Sequence, residues 1–215
     1  MVTATQTGRT KWTQDPAGVQ ADILAAATQE FADRGLSGAR ISEIVRKTQT
    51  SKRMIYYYFG DKAGLYVRVL EAAYGRVREG ENQLDLESLE PMAALARLVE
   101  FTFDFHRNNP DYVRLVAIEN IHNAAYMEQS DSISKLNMPA ITTLEQICKK
   151  GIASGQFRAD VDPVSLHWLI SSACVFNIAN RSTFQHLFGD APFSAAGQEQ
   201  LKAMVVRAIC GGVAI

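Results

Sequence analysis

The chain is poor in the features that mark secreted, fibrous and linker-rich proteins. Only three cysteines occur in 215 residues, and Cys148, Cys174 and Cys210 form no Cys-x-x-Cys pair, so we expect free, buried thiols rather than a disulfide framework. Six prolines and 14 glycines exclude collagen-like and linker-dominated chains. No basic segment followed by an apolar run lies near Met1, so we expect no secretory signal and a cytoplasmic location.

Long hydrophobic runs are also scarce. The longest uncharged run covers residues 163–180, between Asp162 and Arg181, and is long enough to test as a membrane span. It contains five polar residues that are costly in hydrocarbon: Ser165, His167, Ser171, Ser172 and Asn177. The run therefore predicts a buried helix rather than a membrane span, and no membrane partner is expected.

Signals for strands and for catalysis are missing as well. No sustained polar–apolar alternation and no Asn-Gly or Asp-Gly hairpin turn occurs. The four histidines show no His-x-x-x-His or His-Glu-x-x-His spacing. Neither a glycine-rich phosphate loop before a helix nor a Gly-x-Ser-x-Gly motif is present. We therefore expect no metal site, no cofactor and no enzymatic activity.

Apolar residues at helical spacing run through almost the whole chain. The pattern, with Ser51 and Asp61 as caps and Gly35 as a stop, predicts four helices in the first part of the chain, over residues 16–35, 41–47, 51–59 and 61–80. Longer helices are predicted to open at Pro91 and Pro110, and others to cover residues 139–154, 163–188 and 194–210. The expected fold is all-α, with a three-helix head, a connecting helix and a larger helical body.

Positive charge is concentrated in the head although the whole chain has a net charge of −1. Residues 40–62 carry a net charge of +4, from Arg40, Arg46, Lys47, Lys52, Arg53 and Lys62 against Glu43 and Asp61. A compact basic patch on an acidic protein suggests a polyanion site, with a solvated surface as the alternative.

The helix predicted over residues 51–59 separates into two arcs at 100° per residue. One arc carries Lys52, Arg53, Tyr56 and Tyr57, and the other carries Met54, Ile55, Tyr58 and Phe59. Two cations interleaved with two phenols fit a DNA groove, where arginine reads guanine edges and tyrosine reaches phosphates or thymine methyls. The alternative is a core helix with half-buried tyrosines.

Three segments of the head carry a family resemblance. Phe31-Ala-Asp-Arg-Gly35, Ile41-Ser-Glu-Ile-Val45 and Ser51-Lys-Arg-Met-Ile-Tyr-Tyr-Tyr-Phe-Gly-Asp-Lys-Ala-Gly-Leu65 resemble the DNA-binding head of the tetracycline-repressor (TetR/AcrR) family. The match covers residues 17–70. The resemblance implies a homodimeric bacterial transcription regulator, usually a repressor released from a pseudo-palindromic operator by a small molecule, and hence a nucleoid-associated location.

The resemblance also implies a division of the chain and roles for individual residues. Residues 1–15 are expected to form a flexible arm, residues 16–62 a helix-turn-helix DNA-binding domain, and residues 63–215 a ligand-binding and dimerisation domain. In the head, Lys52, Arg53 and Tyr56 fall where the family reads bases and nearby phosphates, and Tyr57, Tyr58 and Lys62 where it holds the DNA backbone. The full set expected at DNA is Arg40, Ser42, Ser51, Lys52, Arg53, Tyr56, Tyr57, Tyr58 and Lys62.

Two positions depart from the family pattern. Gln49 stands where the family often has a turn glycine, which implies modest strain if its φ is positive. Arg40 stands where a threonine often caps the second helix, so Arg40 is expected to contact phosphate, or Ser42 to move the helix boundary. Arg9 and Lys11 in the arm suit a minor groove, with a disordered tail as the alternative.

The body is rich in aromatic and amide side chains on its predicted inward faces. A small-ligand pocket needs apolar walls with a few polar groups. The residues expected to contact an unidentified small-molecule effector are Phe101, Phe105, Asn120, His122, Asn123, Trp168 and Asn177. His106 and Tyr112 are further candidates to line the cavity, and ordinary core packing is the alternative for each residue.

The last two predicted helices, over residues 163–188 and 194–210, carry few charges and suit a four-helix dimer interface, with a central place inside one subunit as the alternative. The alternative function for the chain is a helical small-molecule-binding or scaffold protein without DNA-binding activity. The basic patch argues against that alternative.

Overall fold

The computed structural model describes residues 15–215, so the arm expected over residues 1–15 lies, apart from Asp15, outside the described residues. The described chain is all-α, as expected, and contains no β-strand. Its ten helices are α1 Pro16–Gly38, α2 Ile41–Lys47, α3 Lys52–Phe59, α4 Lys62–Asn82, α5 Pro91–Asn108, α6 Pro110–Ile121, α7 Asp131–Ala153, α8 Pro163–Ala179, α9 Arg181–Phe188 and α10 Ala195–Val213.

Local signals set the limits of the head helices. Gly35 interrupts α1 with a φ of 67°, in the left-handed region that favours glycine. The Ser51 side chain accepts a hydrogen bond from the Met54 N–H at 3.3 Å and caps α3. The Asp61 carboxylate accepts from the Gly64 N–H at 2.8 Å and caps α4 in the same way. These stops and caps follow the sequence pattern closely.

The first apolar core joins the head to the body. Phe31 of α1 and Tyr66 of α4 are fully buried and meet edge to face, with ring centroids 5.1 Å apart. Ile55 of α3 packs into the same cluster, and so does Val113 of α6. Because α4 contributes to this cluster along most of its length, the head and the body share one continuous core.

The second core lies inside the body between α5, α7, α8 and α10. Phe103 and Phe157 are among its largest buried side chains. Cys148 and Cys174 are buried in it as free thiols, as expected, and Cys210 is a half-buried free thiol at its edge. Burial raises the pKa of the Cys174 thiol to about 12 and keeps this group un-ionised.

Two helix boundaries in the body differ from the sequence prediction. The helix expected to open at Pro139 begins at Asp131, because Ser130 accepts a hydrogen bond from the Ile133 N–H at 3.4 Å and caps it, leaving Pro139 inside α7. The helix expected over residues 163–188 is interrupted at Asn180. The interruption lets Phe184 of α9 pack against Phe176 of α8, with ring centroids 6.3 Å apart.

The uncharged segment over residues 163–180 is buried on only one side. Leu166, Ile170 and Cys174 face the second core, whereas Trp168 is 68% exposed and Phe176 is 53% exposed. The buried helix expected here is thus buried on one face only within one subunit, because the apolar residues encircle α8 and the body covers a single face. No helix among residues 15–215 is long and apolar enough to cross a membrane.

Candidate nucleic-acid interface and ligand cavity

Helix α3 presents the polar arc expected from its sequence. Ile55 and Phe59 are buried in the first core and fix the rotation of the helix. Lys52, Arg53 and Tyr57 are exposed on the opposite side. Ser51 is exposed at the N-terminus of the helix and is engaged as its cap. The polar arc is therefore exposed and the other arc is buried or half-buried, as the sequence pattern predicts.

The cations of α3 are free to meet an external anion. The Lys52 ammonium lies 5.6 Å from the centre of the Tyr56 ring, which is 39% exposed. Among residues 15–215, neither Lys52 nor Arg53 forms a salt bridge. By contrast, Lys47 of α2 is paired with the buried Glu30 at 3.2 Å. The basic patch thus contains cations without an acidic partner among the described residues, and others that are paired inside the head.

Arg40 immediately precedes α2 and leaves its N-terminus without a side-chain cap. Its backbone N–H donates to Glu30 Oε1 at 3.2 Å, and its side chain is exposed. The helix still begins at Ile41, so the alternative in which Ser42 moves the boundary is wrong. Ser42 is exposed in the first turn of α2. Gln49 does not have a positive φ, so the strain considered for this turn is absent.

Two expected backbone contacts are partly engaged inside the head. Tyr58 is half-buried and packs against the first core, with its ring 5.2 Å from that of the exposed Tyr57. The Lys62 ammonium donates hydrogen bonds to the carbonyl oxygens of Ala39 at 2.9 Å and Ser37 at 3.3 Å. Lys62 therefore ties α4 to the segment before α2, a role that the sequence pattern does not indicate.

The body contains a cavity of about 410 Å³ between α4, α5, α6, α7 and α8. Apolar residues from several helices form much of its wall, among them Val77, Leu98, Val116 and Ile170. The volume lies in the usual range for small-molecule sites. Tyr74 and Tyr112 add aromatic surface, with ring centroids 5.4 Å apart.

A small set of buried polar groups lines this cavity. Arg78 of α4 donates from Nη1 to Glu81 Oε2 at 2.5 Å. His106 of α5 is buried and stacks on Tyr112 with an angle of 12° between the rings. Burial, with help from the positive charge of Arg78 and from His167, lowers the pKa of His106 to about 4, so its imidazole is neutral.

The seven residues expected to contact ligand do not line this cavity. Phe101 and Phe105 are half-buried on α5, with ring centroids 5.7 Å apart. Trp168 faces away from the core and is 68% exposed. Asn177 is buried, but it exchanges hydrogen bonds of 2.9 and 3.0 Å with Gln198 of α10.

The other three of these residues lie at and beyond the end of α6. Asn120 is exposed and donates to the Val116 carbonyl of its own helix at 2.9 Å. His122 is half-buried and meets Tyr126 edge to face at 5.7 Å. Asn123 is exposed and has a φ of 54°. A role of these residues in ligand binding stays a prediction, without support from the cavity.

Sequence reasoning missed the charged pair in the cavity. His106 and Tyr112, the two further candidates, do line it. Arg78 and Glu81 share a helical face with Tyr74 and Val77, at spacings of three, four and seven residues. That inward phase was the available signal. Among residues 15–215, no cluster of three or more histidine, cysteine or acidic side chains could hold a metal ion.

Comparison with protein families accounts for both parts of the molecule. A family model described as bacterial regulatory proteins of the tetR family matches residues 23–69. A second model, described as the tetracyclin repressor-like C-terminal domain, matches residues 91–209. The chain belongs to the tetracycline-repressor family. Regulators of this family bind operator DNA, dimerise and are not enzymes. At the level of the family, this confirms the expected DNA-binding dimer and the expectation that the chain is not an enzyme.

Individual relatives of this tetracycline-repressor family chain are consistent with the match. It is 36% identical over 162 residues to the HTH-type transcriptional repressor NicS of Pseudomonas putida, covering 75% of this chain and 76% of that protein. It is 32% identical over 110 residues to the HTH-type transcriptional repressor SCO4008 of Streptomyces coelicolor, covering 50% and 53%. A tetR-family regulatory protein of known structure from Rhodococcus RHA1 has the same fold, with a TM-score of 0.73, 18% identity and coverage of 91% and 97%.

Proposed function

We propose that this chain is a transcriptional repressor that binds a pseudo-palindromic operator as a homodimer and is released by a small molecule bound in its body. The observation that carries the proposal is the exposed arc of α3, where Lys52 and Arg53 have no acidic partner among the described residues. Two relatives are named as repressors, which favours repression over activation. Such a protein works in the cytoplasm, at the nucleoid.

We assign DNA binding and effector binding to different parts of the chain, which α4 connects. Residues 16–62 bind DNA, and residues 63–215 bind the effector and form the dimer. The N-terminal part of α4 is buried beside the head through Leu65 and Tyr66, and its C-terminal part lines the cavity through Arg78. These parts lie roughly 20 Å apart at 1.5 Å per residue. A ligand that favours one tilt of α4 therefore changes the position of the head.

At DNA, we propose that Lys52, Arg53 and Tyr56 read bases and nearby phosphates. Tyr57 and Arg40 contact the backbone, because both side chains are exposed. Ser51 and Ser42 lie at the starts of α3 and α2, where backbone N–H groups favour phosphate. Tyr58 and Lys62 are also proposed to contact the DNA backbone, in addition to their contacts inside the head. Tyr58 packs against the first core, and Lys62 donates to two carbonyl oxygens.

The dimer is proposed to form through α8 and α10. Within one subunit, α8 exposes Val164, Trp168 and Phe176, and α10 exposes Met204. Large apolar side chains on neighbouring helices with few charges are typical of a surface that a second copy covers. A second copy would also bury the face of α8 that the body leaves open.

Selection of bound sequences from random duplex DNA by the purified full chain tests this function. The selected DNA should contain two inverted half-sites with centres about one helical turn, or a little more, apart. A reporter driven by the selected operator should be silenced when the protein is present. Selected DNA without dyad symmetry, or activation of the reporter, would contradict the proposal.

A further inference from the structure

Two side chains that line the cavity each carry a buried polar atom without a hydrogen-bond partner among residues 15–215. They are Nε of Arg78 and Nδ1 of His106, on side chains of residues that are 8% and 5% exposed. Leaving a buried polar group unpaired is costly, so two such side chains in the wall of one cavity indicate a ligand with polar groups that they can bind. Arg78 Nε is a donor only, which requires an acceptor atom on that ligand.

The charge of the cavity restricts the ligand further. The Arg78 cation is compensated by Glu81, whose side chain is also largely buried. The two histidines of the wall, His106 and His167, both have pKa values lowered by burial and by Arg78, so they carry no charge at neutral pH. The wall is therefore electroneutral, and an ionic ligand would bring an uncompensated charge into a largely buried site.

Aromatic surface defines the remaining part of the site. Tyr74, Tyr112 and His106 bring three rings to the cavity wall. Such surfaces favour a ligand with a ring of its own, because rings pack by stacking or edge-to-face contact. A carbonyl oxygen accepts from the Arg78 guanidinium, and an adjacent N–H or O–H group donates to the unprotonated nitrogen of the neutral His106 imidazole.

We propose that the effector of this cavity is an uncharged aromatic molecule with a carboxamide-like polar end, whose carbonyl oxygen accepts from the Arg78 guanidinium and whose neighbouring group hydrogen-bonds the His106 imidazole. The inference rests on the proposed function, since it names the class of molecule that would occupy the effector site. It does not require that the bound molecule release DNA.

Three probes with one ring system and different charges test the ligand class. Isothermal titration of the full chain with 2-naphthamide, 2-naphthoate and 2-naphthylmethylamine should give saturable binding for the amide. The anion and the cation should bind at least ten-fold more weakly, which corresponds to about 1.4 kcal/mol. Binding of naphthoate or of the amine as tight as that of the amide would overturn the proposal. So would the absence of binding by all three probes up to about 1 mM, the range of weak ligands.

Matched variants test the two contacts. R78M/E81M removes the ion pair without leaving a lone buried charge, a replacement that proteins often tolerate. H106F keeps a ring against Tyr112 but removes both nitrogens. Each variant should weaken naphthamide binding at least ten-fold. The control R97M/E100M removes an exposed Arg–Glu pair with the same spacing on α5 and should leave binding unchanged.

The outcomes separate the ligand class from the proposed function. Equal naphthamide affinity in the wild type and in R78M/E81M or H106F would overturn the contacts proposed here. Operator affinity is measured separately in the same samples. Bound naphthamide with the predicted variant effects but no change in operator affinity would support the ligand class and contradict effector control by this cavity.

Discussion

The ammonium group of Lys62, the first residue of α4, donates a hydrogen bond to the carbonyl oxygen of Ala39, 2.9 Å away and just before α2. A second bond reaches the Ser37 carbonyl at 3.3 Å. These contacts close the corner between α1 and α2 with a charge-assisted donor. A residue that family resemblance places at the DNA backbone thus also holds the head together.

Substituting Lys62 with alanine should therefore destabilise the protein. Loss of hydrogen bonds from a charged donor is expected to lower the free energy of unfolding by about 1–3 kcal/mol. Thermal or urea unfolding measures this change, with Lys149→Ala on the exposed face of α7 as the control. Unchanged stability together with weaker binding to all DNA sequences would instead identify Lys62 as a phosphate contact.

Arg53→Ala should reduce operator affinity and relax base preference. An arginine that reads a base edge contributes about 1–3 kcal/mol of discrimination. The effect should be larger on the selected operator than on random DNA of the same length, as measured by fluorescence anisotropy. Arg97→Ala, which removes an exposed arginine of the body, should change neither affinity. Equal losses of affinity for both DNAs would indicate that Arg53 contacts phosphate rather than a base edge.

The buried imidazole of His106 should make stability depend on pH. Its pKa falls from 6.5 to about 4 on folding, so between these values the unfolded chain binds a proton that the native chain does not. Stability should therefore decrease as pH falls from about 6.5 towards 4, by up to about 3 kcal/mol from this group. The charged and titratable groups around it are Arg78, Glu81, Tyr112 and His167.

Urea unfolding between pH 7 and pH 4 measures this dependence. H106F removes the titrating group and should flatten the slope, while His167, whose pKa is also lowered, still contributes in the same direction. An H106F protein that loses as much stability on acidification as the wild type would contradict the assignment of the slope to His106.

Trp168→Glu should disrupt the homodimer. The Trp168 side chain is 68% exposed in one subunit, and a carboxylate placed in a covered apolar interface would lose its hydration without a partner. Light scattering should report twice the chain mass of 23.7 kDa for the wild type and a smaller mass for the variant. Met138→Glu, at an exposed apolar position on α7, is the control. A monomeric wild type at micromolar concentration would contradict the proposed interface.

The DNA-reading helix is the part of the molecule that sequence reasoning describes best. Its two arcs follow from helical phase, and its ends follow from Ser51 and Gly60 next to the helix itself. All of these are local properties, because residues within one turn of each other determine them. In the body, Pro91 and Pro110 open helices as predicted, whereas Pro139 lies inside α7, where Ser130 supplies the earlier start.

The sequence by itself determined the all-helical fold, the separation of α3 into two arcs and the resemblance to the family. Only the tertiary structure decided which side chains meet in the cavity, because Arg78 and His106 lie on different helices whose separation depends on packing. It also decided that Asn177 is occupied by Gln198 and that Trp168 is exposed. Helical phase separates the faces of one helix, but it does not state which neighbour covers each face. That choice depends on how several helices bury their apolar surfaces together.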